Sequence, residues 1–406
     1  MKIVKFLIFF LFSSYIIFYL DNSGIGQKLK WMSIFLVFFA LLFQFKRGIP
    51  KKIILQKFMI IWLFLFNVFG VITSLYFDIL SSSLTTLIGL NLYFLIFYLA
   101  SYSIKSTDNG IIKFNKIVII TSSLLIIFAF VVNLPLTLSQ VHTYFFGRVR
   151  IYGIFQHPNY LGSVCFVGLL ASFINLRLSK GYKKAYFLSL LFFFAFLILS
   201  DSRGGLYSFF IFLAVYYSIT FVKKFKKLYV RLFLFIFFWL SLLMVFLLLK
   251  NFALSILEND ELLNTFTSGR VDNWRYIIDN FITRNTSVYL FGHGFSSVQY
   301  LQEIKLNTDN GYIVWLYEAG LLNLIMVILL FLYLFFSILK NKTWNTFGVA
   351  VFLSYATYAF FENFLMNLGH IVPLYCWIML FLGLFNEPKR KIVNTETTTV
   401  EITHVV

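Results

Sequence analysis

Long apolar runs alternate with short polar segments along almost the whole chain. Runs such as Leu232–Leu249 carry no stripe of polar residues at helical spacing. A helix that is apolar on every side needs lipid or other apolar helices around it. The pattern predicts about twelve transmembrane helices, near 3–20, 31–45, 58–77, 84–104, 117–135, 160–178, 185–200, 204–222, 230–249, 320–339, 345–361 and 369–385. The run at 31–45 is short and extends toward Lys28. One sizeable polar stretch, 250–310, interrupts the rhythm before the tenth span. The expected fold is an all-α integral membrane protein. Residues 1–391 read as a single polytopic membrane domain, and 392–406 as a polar, Thr-rich cytoplasmic tail. No internal repeat is visible.

Composition removes the other classes. Of 406 residues, 60% are hydrophobic and only 12% charged, too little polar surface for a soluble domain. A β-barrel would show short alternating segments instead of solid runs. The net charge of +18 would suggest nucleic acid in a soluble chain, but here the cations cluster between apolar runs, where topology signals belong. With the N-terminus inside, 24 of the 34 lysines and arginines fall in inner segments, five in short outer loops and five in 250–310. That contrast predicts both termini in the cytoplasm and 250–310 outside. The segment Lys2–Leu20 begins like a signal peptide but lacks a small-residue cleavage site, so it reads as a retained anchor. Cys165 and Cys376 lie inside apolar runs and show no metal-ligand spacing.

The cations also divide by type. Six of the ten arginines (Arg148, Arg150, Arg203, Arg270, Arg275 and Arg284) fall on outer segments. About three would be expected if Lys and Arg were allocated alike, and the positive-inside rule does not distinguish them. Arginine grips phosphate with two parallel hydrogen bonds, so the outer face points to a phosphate-bearing ligand.

Several residues there could carry chemistry. Ser202-Arg203-Gly204-Gly205 forms a tight outer turn. It is either a charged helix stop or a site where Arg203 faces the bundle and holds an anionic headgroup, the glycines admitting a ligand close to the backbone. Arg270 opens an amphipathic helix, capped by Thr267 or Ser268, whose face of Val271, Trp274, Ile277, Ile278 and Phe281 rests on the membrane surface or on the bundle. A cation at a helix N-terminus is unfavourable and calls for compensation, which a phosphate would supply. His157-Pro158-Asn159 reads as a structural turn or a ligand contact, and His293, between Gly292 and Gly294, as a loop histidine or a base. Asp309 abuts the next apolar run and is either a cap or a proton acceptor. Glu318 and Glu362 lie near outer span ends and either line the same cavity or balance its arginines. Tyr144, Phe145, Trp274, Tyr300 and Tyr312 could stack on sugars or belong to an aromatic belt.

Taken in order, these pieces resemble the bacterial O-antigen ligase and polysaccharide polymerase superfamily. The resemblance rests on Gly153-Ile154-Phe155-Gln156-His157-Pro158-Asn159, Ser202-Arg203-Gly204, Ser268-Gly269-Arg270 with Trp274, Leu290-Phe291-Gly292-His293-Gly294, and Asp309-Asn310 with Gly320. It covers roughly residues 150–340, together with the layout of about twelve spans and one large outer loop. It implies a GT-C-like membrane glycosyltransferase in the bacterial cytoplasmic membrane. Such enzymes take a glycan from an undecaprenyl-pyrophosphate carrier and pass it to a sugar hydroxyl, without metal, cofactor or nucleotide sugar. In the ligase branch the position of Asp309 is usually His, and a glycine is expected where this chain has Asn323. The departure favours a polymerase that joins lipid-linked repeat units into capsular, exopolysaccharide or O-antigen chains. A ligase, or a transporter or flippase of the lipid-linked oligosaccharide, are the other readings, although a transporter should show repeats and midplane ionisable groups.

On this reading Arg203 and Arg270 hold the pyrophosphate, and Asp309 or His293 accepts the proton. Arg148, Arg150, His157, Asn159, Trp274, Asn310 and Tyr312 bind the substrate. A flippase and a chain-length regulator are the protein partners it implies.

Overall fold

The computed structural model describes residues 2–20, 24–48, 57–75, 80–132, 139–140, 150–225, 270–303, 306, 309–367 and 370–385. The expected span 230–249, the first part of 250–310, the tail 392–406, and Arg148, Tyr144 and Phe145 lie outside these residues. The described chain is all-helical. Eight helices come first: α1 Lys2–Leu20, α2 Ile25–Gly48, α3 Lys57–Leu75, α4 Leu80–Lys105, α5 Gly110–Val131, α6 Pro158–Leu178, α7 Lys183–Leu199 and α8 Arg203–Lys223. Three short ones follow, α9 Arg270–Ile277, α10 Thr286–Phe291 and α11 Val298–Glu303. The last are α12 Gly311–Lys340, α13 Asn345–Phe361 and α14 Ile371–Phe381. Seven of them are long and apolar enough to cross a membrane.

Helix ends follow local chemistry. His157 caps α6, with Pro158 in the first turn where its missing N–H costs nothing. Asn310 caps α12 by accepting from the backbone N–H groups of Tyr312 and Ile313 at 3.0 and 3.2 Å. The run expected to start at 320 begins instead at Gly311, and Gly320, at φ +74°, breaks the helix where the apolar run opens.

Burial sorts the helices. All of α14 is buried, and most of α6. Trp377 lies at the centre, stacked on Phe331 at 4.8 Å and donating its indole N–H to the Leu365 carbonyl at 3.2 Å. The outer helices expose apolar side chains such as Phe43, Phe64, Leu124 and Leu188, the surface a lipid environment requires. Small polar groups join neighbouring helices. Ser14 meets Ser33 at 2.7 Å, and Asn67 and Asn91 exchange two hydrogen bonds at 2.9 and 2.7 Å.

Hydrogen bonds show which loops share an end of the bundle. Arg150 reaches Ser200, Asp201 and Asn159, Asn159 reaches Glu362, and Tyr19 reaches His370. At the far end Lys105 meets Thr343, and Lys223 meets Asn345 and Thr346. The loops joined at the first end are ones that charge assigns to the outer side, and those joined at the far end are ones it assigns inside.

Candidate functional site

The polar centre of the first end is built on Arg270. This residue opens α9, and its guanidinium reaches three oxygens. Nη1 donates to the Phe361 carbonyl at 2.6 Å, and Nη2 lies 3.0 Å from Asp309 Oδ2 and 3.4 Å from Glu362 Oε1. The compensation that its place at a helix N-terminus demands thus comes from two carboxylates. Asp309 immediately precedes the α12 cap, and Glu362 is the C-cap of α13, so the cluster joins three elements. Glu362 is the innermost member, with its side chain 7% exposed against 20% for Arg270 and 24% for Asp309. Burial, and then the Asp309 charge, push its carboxyl up to about 8; Arg270 and Asn159 pull the other way.

Asn159 and Arg150 brace the cluster from behind. Asn159 Nδ2 donates to Glu362 Oε1 at 2.8 Å, and its Oδ1 accepts from Arg150 Nη2 at 2.8 Å. Arg150 also donates to the Ser200 and Asp201 carbonyls at 2.9 and 2.8 Å. It is within electrostatic reach of Asp201, Glu362, Arg270 and Arg203, which places all five in one neighbourhood. His157 Nδ1 accepts from the Asn159 backbone N–H at 3.1 Å. Burial, and then Arg150, hold the His157 ring below its usual range.

A family model described as O-antigen ligase matches residues 188–328. The match makes this segment similar to the O-antigen ligase family and supports the ligase and polymerase superfamily. Its family comprises membrane glycosyltransferase-like enzymes, ligases and polymerases, that work on lipid-linked glycans. No curated protein matches the chain. The matched segment contains Arg203, Arg270, His293 and Asp309, whereas Asn159 and Glu362 reach the cluster from either side of it in sequence.

Several expected site residues sit differently from their sequence reading. The Arg203 side chain is 57% exposed, with Asp201 at 3.9 Å, and does not turn into the bundle. Gly204 and Gly205 do not open the backbone to a ligand. They let α8 close on its neighbours, since a Cβ would meet Phe361 and Leu197, each at 2.9 Å. His293 is a packed residue, not an exposed loop histidine. Its ring lies 4.4 Å from Tyr317, and its Nε2 3.1 Å from the Phe281 carbonyl. Burial lowers its pKa, against the Phe281 hydrogen bond.

Asn310 uses its Oδ1 to cap α12, so the cap at this junction is Asn310 and not Asp309. Tyr312 donates to the Ala356 carbonyl at 3.1 Å, tying α12 to α13. Trp274 packs edge-on to Phe360 at 5.6 Å, so the apolar face of α9 rests on the bundle. Glu318 accepts from the Val298 backbone N–H at 3.2 Å and belongs to the packing of α11 on α12. Among the described residues no group of three or more His, Cys, Asp or Glu side chains could hold a metal ion.

The residue that the sequence undervalued is Glu362. Its one signal was that it is the sole carboxylate in a loop without Lys or Arg, directly after a span.

Proposed function

We propose that the protein is a polysaccharide polymerase. It joins undecaprenyl-pyrophosphate-linked repeat units into capsular, exopolysaccharide or O-antigen chains at the outer face of the bacterial cytoplasmic membrane, with both termini inside. The observation that carries this reading is the Arg270 cluster, which sets a cation and two carboxylates together at one end of an apolar bundle. In this reaction the carbon–oxygen bond to the pyrophosphate breaks, and charge gathers on the departing phosphate. A preorganised guanidinium stabilises that charge. Arg270 supplies it, with exposed Arg203 at the rim and Arg150 behind. One carboxylate of the pair takes the proton of the attacking hydroxyl. The arginines supply countercharge, so the reaction needs no divalent metal and runs in chelator. A flippase delivers the substrate, and a chain-length regulator acts on the product.

The carboxylate at 309, where the ligase branch usually carries His, supports the polymerase over the ligase. The description of the matched family favours the ligase as the second reading. The length distribution of glycan in a deletion strain separates them. Single lipid-linked repeats accumulate if the protein is a polymerase, long chains remain on the carrier if it is a ligase, and units stay inside the cell if it is a flippase.

A further inference from the structure

We propose that Glu362 is the group that takes the proton from the attacking sugar hydroxyl, and that Asp309 is a positioning residue that holds Arg270. This rests on the glycosyl-transfer reading above. Asp309 Oδ2 is engaged by Arg270 at 3.0 Å, closer than the 3.4 Å between Arg270 and Glu362. Glu362 uses only one oxygen. Both Asn159 and Arg270 contact Oε1, at 2.8 and 3.4 Å. Oε2 has no hydrogen bond or ion pair among the described residues, and the side chain keeps 7% of its surface exposed.

The backbone at 362 is fixed on both sides. Its N–H donates to the Tyr358 carbonyl at 3.0 Å, and its carbonyl accepts from the Gly311 and Phe364 N–H groups at 3.1 and 2.7 Å. The side chain is thus a preorganised acceptor with one oxygen unengaged among the described residues.

Electrostatics agree with the geometry. The charged and titratable groups facing Glu362 are Arg270 from α9, Asp309 before α12, Arg150 before α6, Tyr160 on α6 and Tyr358 on α13. Burial in this setting brings the carboxyl to about 8. A base whose pKa lies near the working pH combines a useful ionised fraction with strong proton affinity.

The step balances. The hydroxyl O–H bond breaks as its oxygen bonds to the anomeric carbon of the donor. The anomeric C–O bond to the pyrophosphate breaks, and its electron pair leaves on the phosphate oxygen. The proton resides on Glu362 and passes to water before the next turn. Protonating Glu362 also removes one negative charge from beside Arg270 as the pyrophosphate gains one, so the guanidinium passes from carboxylate to leaving group.

The test uses purified full-length protein and lipid-linked repeat, with kcat and KM for chain extension measured from pH 6 to 9. Wild-type kcat should rise with pH toward a limb near the Glu362 value. Glu362→Gln should lower kcat by on the order of 10²–10⁴-fold, leave KM little changed and abolish the limb. Asp309→Asn should keep the limb while raising KM. Thermal unfolding confirms that each variant is folded. Should Glu362→Gln not fold, Glu362→Asp takes its place, and it should keep the limb at lower kcat. Wild-type kcat in either Glu362 variant, or loss of the limb in Asp309→Asn alone, overturns the assignment. If wild-type protein extends no glycan, the polymerase reading falls first and takes this assignment with it.

Discussion

Gly292 and Gly320 take positive φ values of +78° and +74°, and each segment's backbone occupies the space that a Cβ on the other would need. A Cβ at 320 would lie 2.4 Å from the Leu290 carbonyl oxygen, and one at 292 would lie 2.4 Å from that of Glu318. The contact is sealed by hydrogen bonds from the His293 and Gly294 N–H groups to the Tyr317 and Glu318 carbonyls, at 2.8 and 2.9 Å. The break in α12 is therefore a docking point for the segment leading from α10 to α11.

Substitution there should be costly. Gly292→Ala and Gly320→Ala each combine a disfavoured φ with a backbone collision and should destabilise by about 2 kcal/mol or more. Thermal unfolding in detergent should show both losses, and the double variant should fall short of their sum because the sites are in contact. Gly181→Ala, where nothing lies within 4 Å, is the silent control.

The guanidinium at 270 should not be replaceable by an ammonium. Nη1 and Nη2 serve different acceptors in a fixed fork, which lysine cannot reproduce. Arg270→Lys should lower polymer formation from purified lipid-linked repeat by roughly 10²-fold, the scale of losing one oxyanion donor. Arg203→Lys should act in the same direction, and exposed Arg284→Lys should be silent. Normal polymerisation in both Arg203→Lys and Arg270→Lys would remove the pyrophosphate clamp from the mechanism.

Glu362 should leave a mark on stability as well as on turnover. Its carboxyl is raised from 4.5 to about 8, so across that interval the folded protein holds a proton that the unfolded chain has released. The associated stability is complete below pH 4.5 and is lost as pH rises through 8. His157 and His293, both lowered by burial, act in the opposite sense on the acid side. The midpoint of unfolding should therefore decline between about pH 6 and 9, and Glu362→Gln should flatten that decline. An unchanged slope in the variant would count against a buried, proton-holding carboxyl.

Sidedness can be read by labelling. Gln299 is exposed on α11, at the end of the bundle that carries Arg270, while the native Cys165 and Cys376 are fully buried. Gln299→Cys should react with a membrane-impermeant thiol reagent on intact cells. Reaction only after permeabilisation would invert the topology.

The described helices were legible because most apolar runs are long and unbroken, and predicted and observed ends differ mainly at polar helix starts. The span expected from 117 begins at Gly110, and α2 begins at Ile25, because polar residues such as Lys113 and Gln27 continue a helix beyond its apolar part. Arg270 and Asp309 were legible from their motifs. Their meeting with Glu362 was not, since no local pattern reports which helix ends adjoin. Asn323 illustrates the same limit. As a letter it departs from an expected glycine. In the fold it donates to the Ala319 carbonyl at 3.0 Å, beside the break, and to Thr73 on α3 at 3.1 Å.

The break at Gly320 also sets a depth. A continuous helix of the 30 residues of α12 would extend about 45 Å, beyond the roughly 30 Å hydrocarbon thickness of a bilayer. Interrupted at Gly320, the part from Leu321 to Lys340 is about 30 Å long and matches that thickness by itself. On the proposed reading the first turns, with Asp309 before them, are left at the level of the headgroups. On the proposed reading, a carrier lipid could present its pyrophosphate to Arg270 while its tail stays in the membrane, so polymerisation would proceed without extracting the lipid.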